Sequence, residues 1–554
     1  MRIVVIGAVA AGTSAAAKAR RNDDLADIII YEKDRDISYS GCGLPYYIGG
    51  QIEDIGELTP RDSAFFKGKY EITVKTEHEV FEIDKDQKTL LVKNLVTGEV
   101  FSDTYDKLVI ATGASPFVPK VEGINHKHVF FLRNVQNAVA IRNYILSEKP
   151  KTAVIAGTGF IGFEVLENLL YHQMKVTIVE VADKITPNLD VDMASYLENL
   201  LLENGVNILK SRSISSIEEK SIVLSDGQSL PAEMVIMATG VRPNTKLAQN
   251  IGITLGKTGA IQVNGQMKTN VQDIFACGDC IETFSAITGK PVYRPLGSTA
   301  NKTGRIAGDV LTGGNLTYKG NLGTGIFKLF NLSIASTGLS EREALAEGYE
   351  IEICHNIKPD KPSYYKGEDM VIKAVADKKS KRLLGVQIIG TNGVDKRIDV
   401  FATLITYKAT VDELFHLDLA YAPPFSTTKD PVHYTGMILE NAISQGRELI
   451  TPDEIRKSTE ELQIIDARSS DDFMKKGHLQ GALNIPLGKL RGILEKLDPN
   501  KMTVTYCNMG VTGNAAQSVL INHGFKKVLN LSGGHKFYAG SQEKNDSTKK
   551  TEWV

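Results

Sequence analysis

Apolar residues along this chain come in short β-branched runs separated by small-residue stretches. Residues 2–6 (RIVVI) predict a buried strand. A glycine turn follows, then a helix over residues 11–21 rich in alanine, then a second strand over 27–31 that ends at Glu32. The pattern returns at Thr152. There, AVIA leads to Gly157-Thr158-Gly159-Phe160-Ile161-Gly162, a helix runs to about Gln173, and KVTIV ends at Glu180. Continuous apolar runs of four or five residues, alternating with helices, mark strands buried on both faces of parallel sheets. Two further runs are near copies of one another, KLVIATG at 107–113 and EMVIMATG at 233–240, each ending in Ala-Thr-Gly. A third, TNVQDIFACGD at 269–279, places Gly278-Asp279 at a strand end, with a helix start expected at Ile281 or beyond. Strands and helices continue from 321 to 446, including an alternating EIEICHNI and a helix around 398–408, and a separate small α/β pattern begins at 461.

Strand, glycine turn, helix, strand and acid form the dinucleotide-binding unit. The first glycine permits the tight turn, the second lets a pyrophosphate reach the backbone, and the third lets helix and strand pack closely. The phosphates sit where free N–H groups and the helix dipole favour anions. A carboxylate about 20 residues further on accepts from a ribose hydroxyl. Here Glu32 and Glu180 stand 20 and 18 residues past Gly12 and Gly162. The first turn, Gly7-Ala8-Val9-Ala10-Ala11-Gly12, carries Val9 at the middle glycine position. Glu180 suits the free ribose hydroxyls of NAD and opposes the 2′-phosphate of NADP. NADH is therefore the expected donor, with NADPH the second candidate because Lys184 lies four residues on.

The 554 residues suggest three to four domains. Lys and Arg number 64 against 66 Asp and Glu, a net charge of −2, which argues against nucleic acid or an anionic membrane as partner. No segment reads as a membrane span, and the apolar N-terminus is better explained by its glycine motif than as a signal peptide. Five scattered cysteines form no disulfide framework, so a cytoplasmic setting is expected.

The paired nucleotide motifs, the two ATG strands and the Gly278-Asp279 ending together resemble the two-dinucleotide flavoprotein disulfide reductases. That resemblance implies FAD at the first site, with Gly7, Ala10, Ala11, Gly12, Glu32, Lys33, Ala111, Thr112, Gly113 and Asp279. It implies NAD(P)H at the second, with Gly157, Gly159, Phe160, Ile161, Gly162, Glu180 and Gly240. It also implies a discontinuous FAD domain (1–115 and 243–320), an inserted NAD(P)H domain (116–242) and a dimerisation domain (321–446) that makes a homodimer. The charged residues 447–460 read as a linker.

Cys42, in Ser38-Tyr39-Ser40-Gly41-Cys42-Gly43-Leu44-Pro45-Tyr46, stands where these reductases present their redox cysteine. A CxxxxC pair is impossible because Tyr47 occupies the fifth position. A single cysteine must form a sulfenate or a mixed disulfide with a small thiol, and its thiolate is the working nucleophile, so the site is expected to lower its pKa. NADH oxidases and peroxidases carry a histidine where Ala10 stands. The loop and the SxxxCxLPY pattern instead resemble coenzyme A disulfide reductases. By that resemblance Cys42 pairs with coenzyme A, whose contacts fall on Lys18, Arg21, Ser38 and Asn301, with Lys67 or Lys69 and Arg305 as looser matches. The family also uses two tyrosines of the partner subunit. One falls at Tyr364 or Tyr365, and the other belongs to an APPY segment that reads Ala422-Pro423-Pro424-Phe425 here. Tyr421 would point elsewhere on an extended strand.

Residues 461–540 resemble a rhodanese domain. A strand ends in Asp466-Ala467-Arg468, and another feeds Cys507-Asn508-Met509-Gly510-Val511-Thr512-Gly513 and a helix. In that fold the loop N–H groups and the helix start stabilise a thiolate or persulfide. Thr512 stands where many rhodaneses have arginine. Cys277, Cys280 and Cys354 read as structural thiols, since one CxxC cannot complete a four-ligand zinc site. Residues 541–554 are polar and read as a disordered tail.

The expected fold class is α/β: two Rossmann-like dinucleotide-binding domains, an α+β dimerisation domain and a C-terminal rhodanese-like α/β domain. The expected function is an FAD-dependent NADH oxidoreductase acting on CoA disulfide, CoA persulfide or polysulfide through a Cys42–CoA mixed disulfide, with Cys507 carrying sulfane sulfur. The alternatives are a plain CoA disulfide reductase with an inactive rhodanese docking domain, and a non-catalytic NADH/thiol redox sensor.

Overall fold

The computed structural model describes residues 1–542; residues 543–554, most of the predicted tail, lie outside the described residues. The chain divides into two compact units, Met1–Val181 with Ser211–Gly323, and Ala182–Lys210 with Thr324–Val554.

The first unit holds two parallel sheets. In one, the strands run in the order Ile274–Ala276, Lys107–Ile110, Arg2–Ile6, Asp27–Tyr31, Ile72–Lys75. In the other, Lys175–Val179, Thr152–Ala156, Met234–Met237 and Val129–Phe130 are neighbours. The central strands are buried along nearly their whole length, as their unbroken apolar runs require. Each glycine turn lies past the C-terminal end of a central strand, the place where open parallel sheets hold ligands. After the ATG turns the short strands Ala114–Pro116 and Val241–Pro243 pair antiparallel, so both crossings between the nucleotide units lie side by side. Helix Ala11–Asn22 packs on helix Gly297–Leu311 almost backbone to backbone: a Cβ at Gly304 or Gly308 would come 2.2 Å from the carbonyl oxygen of Ala11 or Ala15. No helix starts at Ile281. The segment Ile281–Phe284 is a strand, and the helix waits until Gly297, beyond Pro295.

The second unit contains an antiparallel sheet ordered Gly325–Leu329, Leu332–Gly338, Leu383–Gly390, Asp369–Asp377, Ile351–Pro359. It also contains a parallel sheet ordered Leu449–Ile450, Val528–Leu531, Thr503–Tyr506, Gln463–Asp466, Leu483–Asn484. Residues 447–460, expected as a linker, are partly built into this sheet. Leu449–Ile450 is its edge strand, and Pro452–Lys457 is a helix with Pro at its start and a reciprocal Thr451–Glu454 cap. The Ala422–Phe425 segment is a turn closed by Phe425 N–H to the Ala422 carbonyl (2.9 Å), because two consecutive prolines suit a turn better than the expected extended strand. Residues Ala182–Lys210 belong to this unit and carry helix Val191–Glu203.

Two acids from that segment meet a buried lysine. Lys373 is fully buried, with its ammonium 3.3 Å from Asp190, 2.9 Å from Asp192 and 2.7 Å from Glu341. Asp192 also meets His355 Nε2 at 2.7 Å. Against the opposing effect of burial, the Lys373 ammonium first and the His355 contact second hold its carboxyl well below the usual range. His355 in turn donates its backbone N–H to the Ser532 hydroxyl (2.7 Å) and stacks on Phe537. This network ties the antiparallel sheet to the parallel sheet that carries Cys507.

Candidate functional sites

At the first glycine turn, Gly7 adopts φ +109° and an added Cβ would lie 2.2 Å from the Ala111 carbonyl oxygen. A Cβ on Gly12 would lie 1.9 Å from the Gly7 carbonyl oxygen. Both glycines are therefore required by close backbone approach, and Val9 is tolerated because the middle position is not one of those contacts. Buried Glu32 accepts from Ala8 N–H (2.7 Å) and Asp34 N–H (3.0 Å), and burial pushes its pKa up. Ala10 and Ala11 begin the helix, and Lys33 is exposed beside Glu32. Thr112 donates to the Asn244 carbonyl, joining the two ATG turns, where Gly113 and Gly240 both have positive φ.

The second turn repeats the design. Gly157 has φ +107° and Gly162 packs on its carbonyl. Gly159 precedes helix Phe160–Tyr171 and faces open space, with no atom within 4 Å of an added Cβ. That is the cradle a pyrophosphate needs, with the N–H groups around Phe160 and Ile161 at the helix start. Glu180 accepts from the Thr158 N–H (3.0 Å) and hydroxyl (2.6 Å). Both turns thus fit a dinucleotide by the room they leave and the acids they orient.

Cys42 sits in the turn Gly41–Gly43 ahead of the short helix Leu44–Ile48, and is exposed. The wall behind it is tight, since a Cβ on Gly43 would strike Leu58 at 2.4 Å. Ser38, at φ +50°, donates its N–H to the Ala8 carbonyl and so fastens this loop to the first glycine turn. Partial desolvation raises the thiol pKa, the Glu164 and Asp279 carboxylates add to that, and Arg133 opposes it. The chain's own groups therefore do not lower the thiol as the sequence leads one to expect. Burial raises Glu164 to about 7, with Glu167 adding to it. Arg133 pairs with Asp279 at 2.9 Å, and the Tyr293 hydroxyl donates to the Asp279 carbonyl at 2.9 Å. Sequence reasoning does not single out Glu164 or Arg133. Their only signal is position: Glu164 lies two residues past the last glycine of the second turn.

Among the expected CoA contacts, Lys18 pairs with Asp309 (3.1 Å) and donates to Asn22 (2.8 Å). Asn301 accepts from Ser14 (2.8 Å), and Arg305 is exposed on the same helix as Asn301. Arg21 lies over the Tyr70 ring (5.5 Å), and Lys69 over both Phe65 (5.4 Å) and Tyr70 (5.6 Å). Arg61 over Phe65 adds a third cation to this cluster that the sequence did not suggest. Tyr364 and Tyr365 are exposed on the second unit, and within one chain Cys42 belongs to the first. Phe425 is 72 % exposed.

Cys507 comes directly after strand Thr503–Tyr506 and precedes helix Val511–Asn522, which starts after Gly510 at φ +91°. Its carbonyl accepts from His535 N–H (2.8 Å), and the Asn508 carbonyl accepts from Lys536 N–H (3.0 Å). Buried Arg468 pairs with Asp466 at 2.6 Å and reaches Asn508 at 3.3 Å. Cys277, Cys280 and Cys354 are fully buried, and burial raises all three thiols, Cys280 to about 11. Such thiols are inert. Among the described residues no group of metal-ligating side chains is present, and no helix is long and apolar enough to cross a membrane.

Comparison with known proteins matches residues 1–300 to "Pyridine nucleotide-disulphide oxidoreductase", residues 325–431 to the dimerisation domain of that family, and residues 451–540 to "Rhodanese-like domain". The coenzyme A disulfide reductase of Staphylococcus haemolyticus is 33% identical over 437 residues, 78% of this chain and 98% of the relative. Among solved structures, reduced CoADR-RHD of Bacillus anthracis superposes with a TM-score of 0.95 at 36% identity, covering 98% of each chain. The NAD-dependent persulfide reductase of A. fulgidus gives 0.90 at 38% identity, covering 97% of this chain and 100% of that one.

Proposed function

This chain belongs to the pyridine nucleotide-disulphide oxidoreductase family, with a dimerisation domain and a C-terminal rhodanese-like domain, and we propose that it reduces coenzyme A persulfide and related CoA disulfides and polysulfides with NADH. In this reading it works as a homodimer in the cytoplasm. The observation that carries it is the isolation of Cys42. It is the exposed thiol of its unit, and the two other cysteines there, Cys277 and Cys280, are fully buried. Its disulfide partner must come from solution as a small thiol. The Gly7 turn with Glu32 would hold FAD, which when bound would supply two-electron chemistry between NADH and sulfur.

Cys42 thiolate attacks the CoA-bearing sulfur of CoA–S–SH, the S–S bond breaks and hydrosulfide leaves. The product is Cys42–S–S–CoA. Two electrons from NADH cleave it to Cys42 thiolate and CoA thiol. The sum is CoA–S–SH + NADH + H⁺ → CoA–SH + H₂S + NAD⁺. Glu164, poised near neutrality beside Cys42, is suited to hold the proton released or taken up as the sulfur changes state. The cations Arg21, Arg61 and Lys69 on their aromatic shelf offer charge to the CoA phosphates. Persulfide is favoured over CoA disulfide because Phe425 lacks the hydroxyl that an APPY segment would provide. Cys507 carries sulfane sulfur and hands it to CoA; tethering holds the two chemistries at roughly mM effective concentration.

Steady-state NADH oxidation with CoA disulfide, CoA persulfide and polysulfide tests this in two variants. Cys42→Ser is expected to abolish all three, whereas Cys507→Ser is expected to slow polysulfide alone. Turnover by Cys42→Ser, or an unchanged polysulfide rate in Cys507→Ser, would overturn the respective half of the proposal.

A further inference from the structure

The Cys507 loop contains no cation of its own: Asn508, Met509 and Gly510 separate the cysteine from helix Val511–Asn522, and the first turn of that helix, Val511, Thr512 and Gly513, carries none either. Cations nearby are already committed to carboxylates, Arg468 to Asp466 (2.6 Å), Lys536 to Asp369 (2.6 Å) and Lys476 to Asp472 (2.7 Å). A cysteine that works as a thiolate near neutral pH needs positive charge beside it, and the persulfide anion that follows occupies the same field. Helix N-terminal N–H groups supply part of this, within one turn.

The neighbouring antiparallel sheet carries a cation without a carboxylate partner among the described residues. Its edge strand Ile351–Pro359 is fastened to the segment that supports the Cys507 loop. His355 N–H donates to the Ser532 hydroxyl, and Gly533 lies against His355, with an added Cβ 3.0 Å from the His355 Cβ. Just beyond Gly534, the His535 and Lys536 N–H groups bind the Cys507 and Asn508 carbonyls. Further along the same edge, Pro359 pairs with Asp369, whose carboxylate holds Lys536. Lys358 stands between these two anchor points. Its ammonium lies 4.2 Å from the centre of the Tyr434 ring, and among the described residues no carboxylate pairs with it. Burial lowers its pKa, while Cys507 first and Asp369 second favour its charged form, so the ammonium lies within electrostatic reach of the sulfur.

We propose that Lys358 completes the Cys507 site from the dimerisation-domain sheet, stabilising the thiolate and the persulfide anion in place of a loop arginine. The sulfur-transfer site is then a joint product of two domains. Sulfur moves as Cys507–S⁻ + R–S–S⁻ → Cys507–S–S⁻ + R–S⁻, with the negative charge beside the ammonium before and after. Tyr434 holds the ammonium at its face while leaving it unneutralised. This rests on Cys507 being the sulfur carrier.

The test uses the full-length protein with Lys358→Met and Lys358→Arg. Iodoacetamide alkylation of the Cys507 peptide is measured by mass spectrometry at neutral pH, alongside the gain of one sulfur atom on that peptide after polysulfide treatment. Lys358→Met is expected to slow alkylation by about 3–10-fold, as for removal of a partly solvated charge, and to lower persulfide loading, while Lys358→Arg stays within about twofold of wild type. Equal rates in wild type and Lys358→Met, or an arginine variant as slow as the methionine one, would overturn the proposal. Alkylation that depends on Lys358 with no sulfur gained by wild-type Cys507 would instead overturn the sulfur-carrier reading alone.

Discussion

Replacing Lys373 with methionine would remove a cation that touches three carboxylates at once. The ammonium stands 2.7 to 3.3 Å from Glu341, Asp192 and Asp190; Lys373 itself is fully buried and both aspartates are nearly so, while Glu341 is 35% exposed. After the change Asp192 keeps His355, while Asp190 keeps neutral donors such as Gln387 and the Glu341 N–H. Removing one partner of a buried ion pair costs about 3–5 kcal/mol, because a charge is left uncompensated. For a unit of this size that lowers the relevant melting transition by roughly 6–20 °C. The sign of the pH dependence is diagnostic. In wild type Asp192 has a depressed pKa, so its contribution is present above the ordinary carboxylate value and is lost as pH falls through the folded one. In Lys373→Met the burial of Asp192 remains and its foremost opposing charge is gone, so its pKa rises. Protonation then relieves it, and the deficit shrinks as pH falls from about 8 to 5. Differential scanning calorimetry of both proteins across that range measures it. A deficit under about 1 kcal/mol, or one that does not change with pH, would refute the electrostatic account of this cluster. Cleavage near 447–460 by a protease should also speed up, since His355 links the cluster to Ser532 and hence to the Cys507 sheet.

Three other perturbations probe the sites. Glu164→Gln should speed iodoacetamide alkylation of Cys42 by about threefold at pH 8 but little at pH 6, because the carboxyl near 7 is charged only in the first case; an equal gain at both pH values contradicts this. Glu180→Gln should narrow the kcat/KM preference for NADH over NADPH by about tenfold, since it removes the charge that opposes a 2′-phosphate, and an unchanged ratio would assign the selectivity elsewhere. Phe425→Tyr should raise kcat for CoA disulfide by up to about tenfold through a restored proton donor, while an effect on KM alone would point to binding.

The glycine turns are legible in the sequence because their chemistry is local. Gly7, Gly12, Gly157 and Gly162 answer to backbone atoms a few residues away or on the next strand, and the strands flanking them are unbroken apolar runs. The three fully buried cysteines, Cys277, Cys280 and Cys354, are legible for a similar reason, each lying within or against a strand. Residues whose role depends on another element are not. Glu164 bears electrostatically on Cys42 from the nucleotide helix, Arg133 reaches Asp279 across 146 positions, and Lys358 feels Cys507 from a different sheet. Pro452 marks a break in the sequence, yet Thr451-Pro452-Asp453-Glu454 is a helix start, and the capping pair is readable there. The strand Ile281–Phe284 escapes sequence reasoning because its partners lie elsewhere. It pairs with Ile261–Gln262 and Pro291–Val292, and neither pairing is signalled by the turn at Gly278–Cys280.

The central claim is that Cys42 works through coenzyme A. Mass spectrometry of the intact protein, purified without reductant and digested to the Cys42 peptide, addresses it directly. The account predicts one coenzyme A per Cys42, released by a single equivalent of NADH with one free thiol appearing on the protein, and none on Cys507. A Cys42 peptide carrying only added oxygen, or no adduct under any oxidising treatment with CoA disulfide, would contradict it.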